Sequence, residues 1–317
     1  MKLRYLITGG TGSWGQELTR QLLERDPLSI TIYSRGEFAQ VTMQRKFNDK
    51  RLKFIVGDVR DFDQLNVACR EIDVIYHLAA LKHIPICEDF PYEAMKTNIT
   101  GTENVIQAAL INSVDRVVDV STDKAANPLN IYGMTKAIGE KLILHANRQN
   151  STRFVCIRGG NVLGSNGSVV PLFIDQIKRY NRVTITSDKM TRYFLTLQEA
   201  VKLVLTAGDF DMPGGLFVMR MPSCKIIDLA KVLVDHYGNS ITAIEQVGVR
   251  LGEKLHETLI TEYEAPDCYQ FGDNYFVVYH ENIGLPRVGF TSYTSDSQAL
   301  MSQEMIARML TEGGFLQ

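Results

Sequence analysis

The chain opens on KLRYLITGGTGSWGQELTR (residues 2–20), an apolar strand-like run, a glycine-rich turn and the first turns of an amphipathic helix. Gly9, Gly12 and Gly15 recur every third residue, and Gly10, Gly12 and Gly15 also satisfy GxGxxG. The early glycines permit a tight turn and close backbone approach to a pyrophosphate. Gly15 lets the helix pack near the strand, and the helix N-terminus favours an anion. A lone GxGxxG says little. Set between a strand and a helix at the head of an α/β repeat, it marks a dinucleotide site whose turn also includes Thr11, Ser13 and Trp14.

Outward from this turn, short apolar runs alternate with longer amphipathic ones. KLRYLIT (2–8), SITIYS (29–34), RLKFIV (51–56), DVIYHL (73–78), RVVDVS (116–121) and RFVCIR (153–158) read as buried strands. Helices are expected over about 13–25, 37–47, 61–70, 91–112 and 132–149. This alternation implies right-handed crossovers and a parallel sheet covered on both faces. The fold class is therefore α/β, a Rossmann-like doubly wound parallel sheet with a smaller C-terminal substrate-binding domain. Residues 1–165 are expected to bind the dinucleotide and 166–317 mainly the substrate, with some later segments returning to the first domain. The C-terminal part should pack over the C-terminal edge of the sheet, where ligands of such folds bind.

The end of the second strand bears on the cofactor. An acidic residue there would receive the adenosine ribose of NAD. This chain offers Ser34 and Arg35, then Gly36 and Glu37. A hydroxyl and a guanidinium suit a 2′-phosphate, which favours NADP over NAD. Asp58, after the third strand, is placed to receive the adenine amino group, and Ala79 and Ala80 leave room for backbone contact. Val59, Leu78, Lys82 and Asn98 complete the expected cofactor wall.

Composition excludes several classes. A chain of 317 residues, 45% hydrophobic, with net charge −2, gives no electrostatic case for nucleic acid or a membrane surface. No apolar run approaches a spanning helix, and MKLRYLITGG runs straight into a strand without a cleavable signal pattern. The five cysteines are scattered and lack CxxC spacing, so they read as reduced thiols of a cytoplasmic protein with no metal site.

The chemistry concentrates in STDKAANPLNIYGMTK (121–136). Tyr132 and Lys136, at i and i+4, share a helix face, so the ammonium can lower the phenol pKa and make it a proton acceptor. Such a pair suits removal of a proton from a sugar or alcohol hydroxyl as hydride leaves the same carbon. Asp123 and Lys124 add a second acid/base pair that simple alcohol oxidation does not need. Neighbours in extended backbone point opposite ways, so both reach one sugar only if the chain bends after the strand.

TGGTGSWG (8–15), GDVRD (57–61), HLAALKH (77–83), TNITGTENV (97–105), STDKA (121–125), YGMTK (132–136) and VRLGEKLHE (249–257) occur in that order. Together they resemble the extended short-chain dehydrogenase/reductases, specifically the UDP-N-acetylglucosamine 4,6-dehydratases of bacterial surface-sugar synthesis. The TDK form of the site resembles the short enzymes that also invert C5, at the entry to pseudaminic acid and related 6-deoxy sugars. Trp14, Gly36, Met134 and Leu251 depart from the usual residues without removing a catalytic group.

The resemblance implies a mechanism. Tyr132, held anionic by Lys136 and hydrogen-bonded near Thr122, takes the C4 hydroxyl proton while hydride goes to NADP. Lys124, as a neutral amine, removes the C5 hydrogen, and Asp123, as an acid, protonates the leaving C6 hydroxyl. The cofactor ends as it began, and the net reaction is loss of water. Asn161, Gly164, Ser165 and the GSVVP turn (167–171), with Ser168 and Val169, fall where related enzymes hold the nucleotide-sugar diphosphate and base. Arg192 and Arg250 are candidates for phosphate, Glu253 for the uridine ribose and Lys82 for the sugar pocket. His77, His83 and His256 lack a triad or metal partner at telling spacing and read as packing residues. A homo-oligomer, dimer or hexamer, is implied by resemblance alone. A C5-retaining dehydratase, a nucleotide-sugar 4-epimerase and a non-catalytic NADP sensor remain alternatives.

Overall fold

The computed structural model describes residues 2–147, 152–164, 168–210, 214–249 and 252–316. Its centre is a nine-stranded sheet. The first six strands are β1 (Arg4–Thr8), β2 (Ser29–Ser34), β3 (Leu52–Val56), β4 (Val74–His77), β5 (Arg116–Thr122) and β6 (Arg153–Gly159). They pair in parallel in the order β3-β2-β1-β4-β5-β6. β7 (Gly215–Met219) adds in parallel to β6. β8 (Cys268–Phe271) and β9 (Tyr275–Val278) close that edge as an antiparallel pair, with β9 against β7.

The sheet reads as near-continuous apolar runs because helices cover both faces. All six residues of β2 are buried. Helices Ser13–Glu24, Glu37–Phe47, Phe62–Ala68 and Ile131–Ala146 fall close to the expected spans. The fourth expected helix is interrupted: Pro91–Met95 runs through a π turn, Lys96–Thr100, into Gly101–Ile111. Such turns widen the backbone and re-aim a side chain; here it is Asn98, fully inside the protein.

A second core, including Phe173, Phe194, Leu229 and Leu310, lies in the later half of the chain. It packs around a small sheet in which Thr191–Leu195 pairs with Asn161–Val162 and Ser223–Lys225. Strand order reverses between β1 and β4, and a crevice opens there at the C-terminal strand ends.

Candidate active site

A cleft of about 1030 Å³ runs along these strand ends. It is lined in turn by Gly9 after β1, Ser34 after β2, Asp58 after β3, Ala79 after β4, Lys124 after β5 and Asn161 after β6. At one end lies the glycine turn. Gly9 has φ +68°, and a Cβ on it would sit 2.9 Å from the Ala79 backbone. A Cβ on Gly15 would lie 2.3 Å from the Gly10 carbonyl oxygen, so the helix can approach the strand this closely only with glycine there. No side chain caps that twelve-residue helix. Its first N–H groups are left to an anion in the cleft.

The expected cofactor wall divides. Thr11, Gly12, Ser13, Trp14, Arg35, Val59, Leu78, Ala80 and Lys82 also line the cleft. The Ser34 hydroxyl oxygen accepts from buried Gln40 at 3.0 Å, which leaves its own proton to donate. Asp58 is already engaged: Arg60 meets it through its guanidinium at 2.6 and 2.8 Å and through its backbone N–H at 3.0 Å. Asn98 corrects the expectation. It is buried away from the cleft, bonds both the N–H and the carbonyl of Leu81, and donates to Thr135 at 3.0 Å. It ties the loop after β4 to the Ile131–Ala146 helix.

The catalytic candidates meet where β5 ends. Immediately after Thr122 the chain turns into a 3-10 turn, Asp123–Ala125, which bends the two neighbours together. Lys124 Nζ lies 2.9 Å from Asp123 Oδ1, 3.6 Å from Glu257 Oε1 and 3.5 Å from Asn161 Oδ1. Gly133 allows the helix to pack on this turn, because a Cβ there would lie 2.2 Å from the Lys124 carbonyl oxygen. Asn130 caps the helix by accepting from Gly133 N–H at 2.8 Å and so fixes the turn bearing Tyr132. Thr122, Lys124, Tyr132 and Lys136 line the cleft. Asp123 lies beneath it, with Oδ2 buried and unpartnered.

Protonation differs from the expectation in two places. Burial pulls the Lys124 pKa down, but Asp123 and Glu257 outweigh it and hold the resting side chain as an ammonium rather than a neutral amine. For Tyr132, burial raises the phenol pKa more than Thr122, Lys136 and Lys124 lower it, so the resting phenol keeps its proton. Lys136 is drawn elsewhere: its Nζ bonds both oxygens of buried Asp119, at 3.2 and 3.3 Å.

On the substrate side, Ser168 precedes the Val169–Tyr180 helix without capping it, and its hydroxyl is buried and unpartnered. With Asn161, Val169 and Glu253 it lines the cleft. Glu253 Oε2 accepts from Thr186 at 3.3 Å. Arg192 lines the cleft as well. Its guanidinium donates to the carbonyls of Thr191, Lys254 and Leu255 and lies 3.4 Å from Glu257, so it braces the 254–257 segment. Ser165, Gly167, Arg250 and Leu251 lie outside the described residues. His77 is a core residue held between Thr8 and Thr102, and His256 bonds Thr191.

Sequence reasoning passed over Asp119, Glu140, Lys254 and Glu257. Glu140 continues the Tyr132–Lys136 spacing by another four residues, a readable signal. It accepts from Ser121 at 2.6 Å and from Arg158 at 2.6 and 3.0 Å. Lys254 and Glu257 lie within the VRLGEKLHE motif, but only folding carries them to Lys124. Among the described residues no cluster could hold a metal, and no helix is long and apolar enough to cross a membrane.

Comparison with known proteins places the chain in a family. The family model described as polysaccharide biosynthesis protein matches residues 5–279. A Campylobacter jejuni protein named UDP-N-acetylglucosamine 4,6-dehydratase (inverting) is 43% identical over 86% of this chain and 81% of its own. A Rickettsia bellii protein named UDP-glucose 4-epimerase is 42% identical over 85% of this chain and 81% of its own. The crystal structure of Pen from Bacillus thuringiensis superposes with a TM-score of 0.93 and 34% identity, covering 100% of this chain and 99% of that one.

Proposed function

The chain belongs to the polysaccharide biosynthesis protein family, among relatives that include inverting UDP-N-acetylglucosamine 4,6-dehydratases, and we propose that it is an NADP-dependent enzyme of that reaction. Its substrate is UDP-GlcNAc or a close UDP-HexNAc, and its product a UDP-4-keto-6-deoxy sugar inverted at C5. The observation that carries this reading is the second acid/base pair. Lys124 shares one cleft with Tyr132 and Lys136, and Asp123, buried directly beneath it, lies 2.9 Å from the Lys124 ammonium.

The uncapped glycine turn, Ser34 and Arg35 suit an NADP pyrophosphate and 2′-phosphate. The bound dinucleotide supplies the hydride acceptor at C4 and the donor at C6, and ends as it began. Tyr132 first gives its own proton to solvent; as a phenolate stabilised by the Lys136 ammonium it then takes the C4 hydroxyl proton. Transfer of one proton from the Lys124 ammonium to the Asp123 carboxylate yields both required forms at once, a neutral amine and a carboxylic acid. Total charge is unchanged, and Glu257 keeps its own partner in Arg192. Lys124 then removes the C5 hydrogen, Asp123 protonates the departing C6 hydroxyl, and C5 is reprotonated from the opposite face.

At the other end of the cleft the Val169–Tyr180 helix start, with Ser168 and Asn161, receives the UDP diphosphate. Residues 166–317 thus mainly serve the substrate, with β7, β8 and β9 completing the dinucleotide-binding sheet. The enzyme is a cytoplasmic hydro-lyase that works as a homo-oligomer.

A 4-epimerase is the second reading, favoured by the Rickettsia relative. It would use Tyr132 and Lys136 but has no task for Asp123 and Lys124. Mass spectrometry after incubation with UDP-GlcNAc and NADP separates the two: loss of one water supports the dehydratase, an isobaric product the epimerase.

A further inference from the structure

Alternate residues of β5 face the Ile131–Ala146 helix, and Asp119 and Ser121 meet Lys136 and Glu140 one turn apart. Asp119 is wholly buried in the middle of the sheet. Its flanking residues in register are His77 on β4 and Cys156 on β6. Neither can balance its charge. His77 is fully buried between two threonine hydroxyls, and Cys156 offers only a thiol, 3.7 Å from Oδ2. Arg158, also on β6, is taken by Glu140 and Glu264. Tyr132, on the same helix as Lys136, has no positive charge to give. Among the described residues facing Asp119, Lys136 is therefore the cation available to it, and Asp119 is the carboxylate that meets Lys136.

We propose that Asp119 is a positioning residue for the Tyr132–Lys136 pair, whose buried carboxylate keeps Lys136 an ammonium and fixes it beside the phenol. An isolated lysine at this depth would lose its proton, since burial disfavours the charged form. The neutral amine could no longer stabilise a phenolate. At rest the Tyr132 phenol stays protonated, chiefly because burial raises its pKa, and an ammonium held at Lys136 lowers the cost of removing that proton. Asp119 touches neither substrate nor cofactor and acts through Lys136. The inference rests on the reading of Tyr132 as the base at a sugar hydroxyl, but its central test does not.

That test is the titration of Lys136 by NMR of protein carrying 13C-labelled lysine, without substrate, in the parent and in Asp119→Asn. Lys136→Met assigns the resonance. The Asp119→Asn midpoint should fall by about 1–3 units, the size of a lost close opposite charge. The alkaline limb of the pH–rate profile should move down with it. An unchanged Lys136 midpoint overturns the proposal. A shifted midpoint in a protein inert toward UDP-GlcNAc supports the Asp119–Lys136 coupling and counts against the dehydratase reading alone. Should Asp119→Asn fail to fold, Asp119→Asn/Lys136→Met decides. Recovery of folding supports the pairing, and continued failure overturns it.

Discussion

Asp123 Oδ1 and Lys124 Nζ, on consecutive residues, lie 2.9 Å apart because the chain leaves β5 directly into a 3-10 turn. One proton between them converts an ion pair into an acid and a base. Asp123→Asn and Lys124→Met should therefore each slow water loss by about 10²–10⁴-fold, the usual worth of a positioned proton-transfer group. The double variant should be little slower than the slower single one, since the two act as a unit. Product formation by mass spectrometry measures all three. A Lys124→Met enzyme that eliminates water at the parent rate removes the assigned base.

Tyr132→Phe removes the phenol while leaving the helix and its Asn130 cap in place. Turnover should fall by about 10²–10⁴-fold with the melting temperature nearly unchanged. Retained turnover would place the C4 base elsewhere.

The cofactor preference is testable at one guanidinium. Arg35→Ala should weaken NADP binding by about tenfold, within the range for a charge-assisted hydrogen bond to phosphate, and leave NAD nearly unaffected. Fluorescence titration with each dinucleotide reads both constants. Equal losses would show that Arg35 does not read the 2′-phosphate.

Most of the fold was legible in the sequence because a sheet buried on both faces writes itself as apolar runs, as in SITIYS and RVVDVS. The glycine turn was legible for a steric reason, the φ of Gly9 and the close packing at Gly15. Less legible was anything that depends on which partner a polar group finds. Asp119 reads as a stray acid within a strand until Lys136 is seen against it, Asn98 reads as a ligand contact until it is traced to Leu81 and Thr135, and Arg192, on the cleft wall, also braces the backbone of Lys254 and Leu255. Protonation was hidden for the same reason. Lys124 and Tyr132 titrate according to Glu257 and to burial, and neither can be read from local spacing.

His77 gives a stability prediction with a defined sign. Burial, only partly offset by Asp119, lowers its pKa from 6.5 to about 4. The unfolded chain binds a proton between these values and the folded one does not, so stability falls as pH drops through that window. The full loss is about 3 kcal/mol. Urea unfolding at pH 7 and pH 4.5 should show it. His77→Gln, which cannot protonate, should flatten the difference; an undiminished acid loss in that variant would assign it to other groups.

The most direct test of the central claim is proton NMR of UDP-GlcNAc incubated with the enzyme and NADP in deuterated water. The account requires a 6-methyl, 4-keto product carrying deuterium at an inverted C5, because Lys124 removes that hydrogen and solvent returns one on the other face. A C4 isomer with its C6 hydroxymethyl intact, or a 6-methyl product that keeps the original C5 hydrogen, would contradict it.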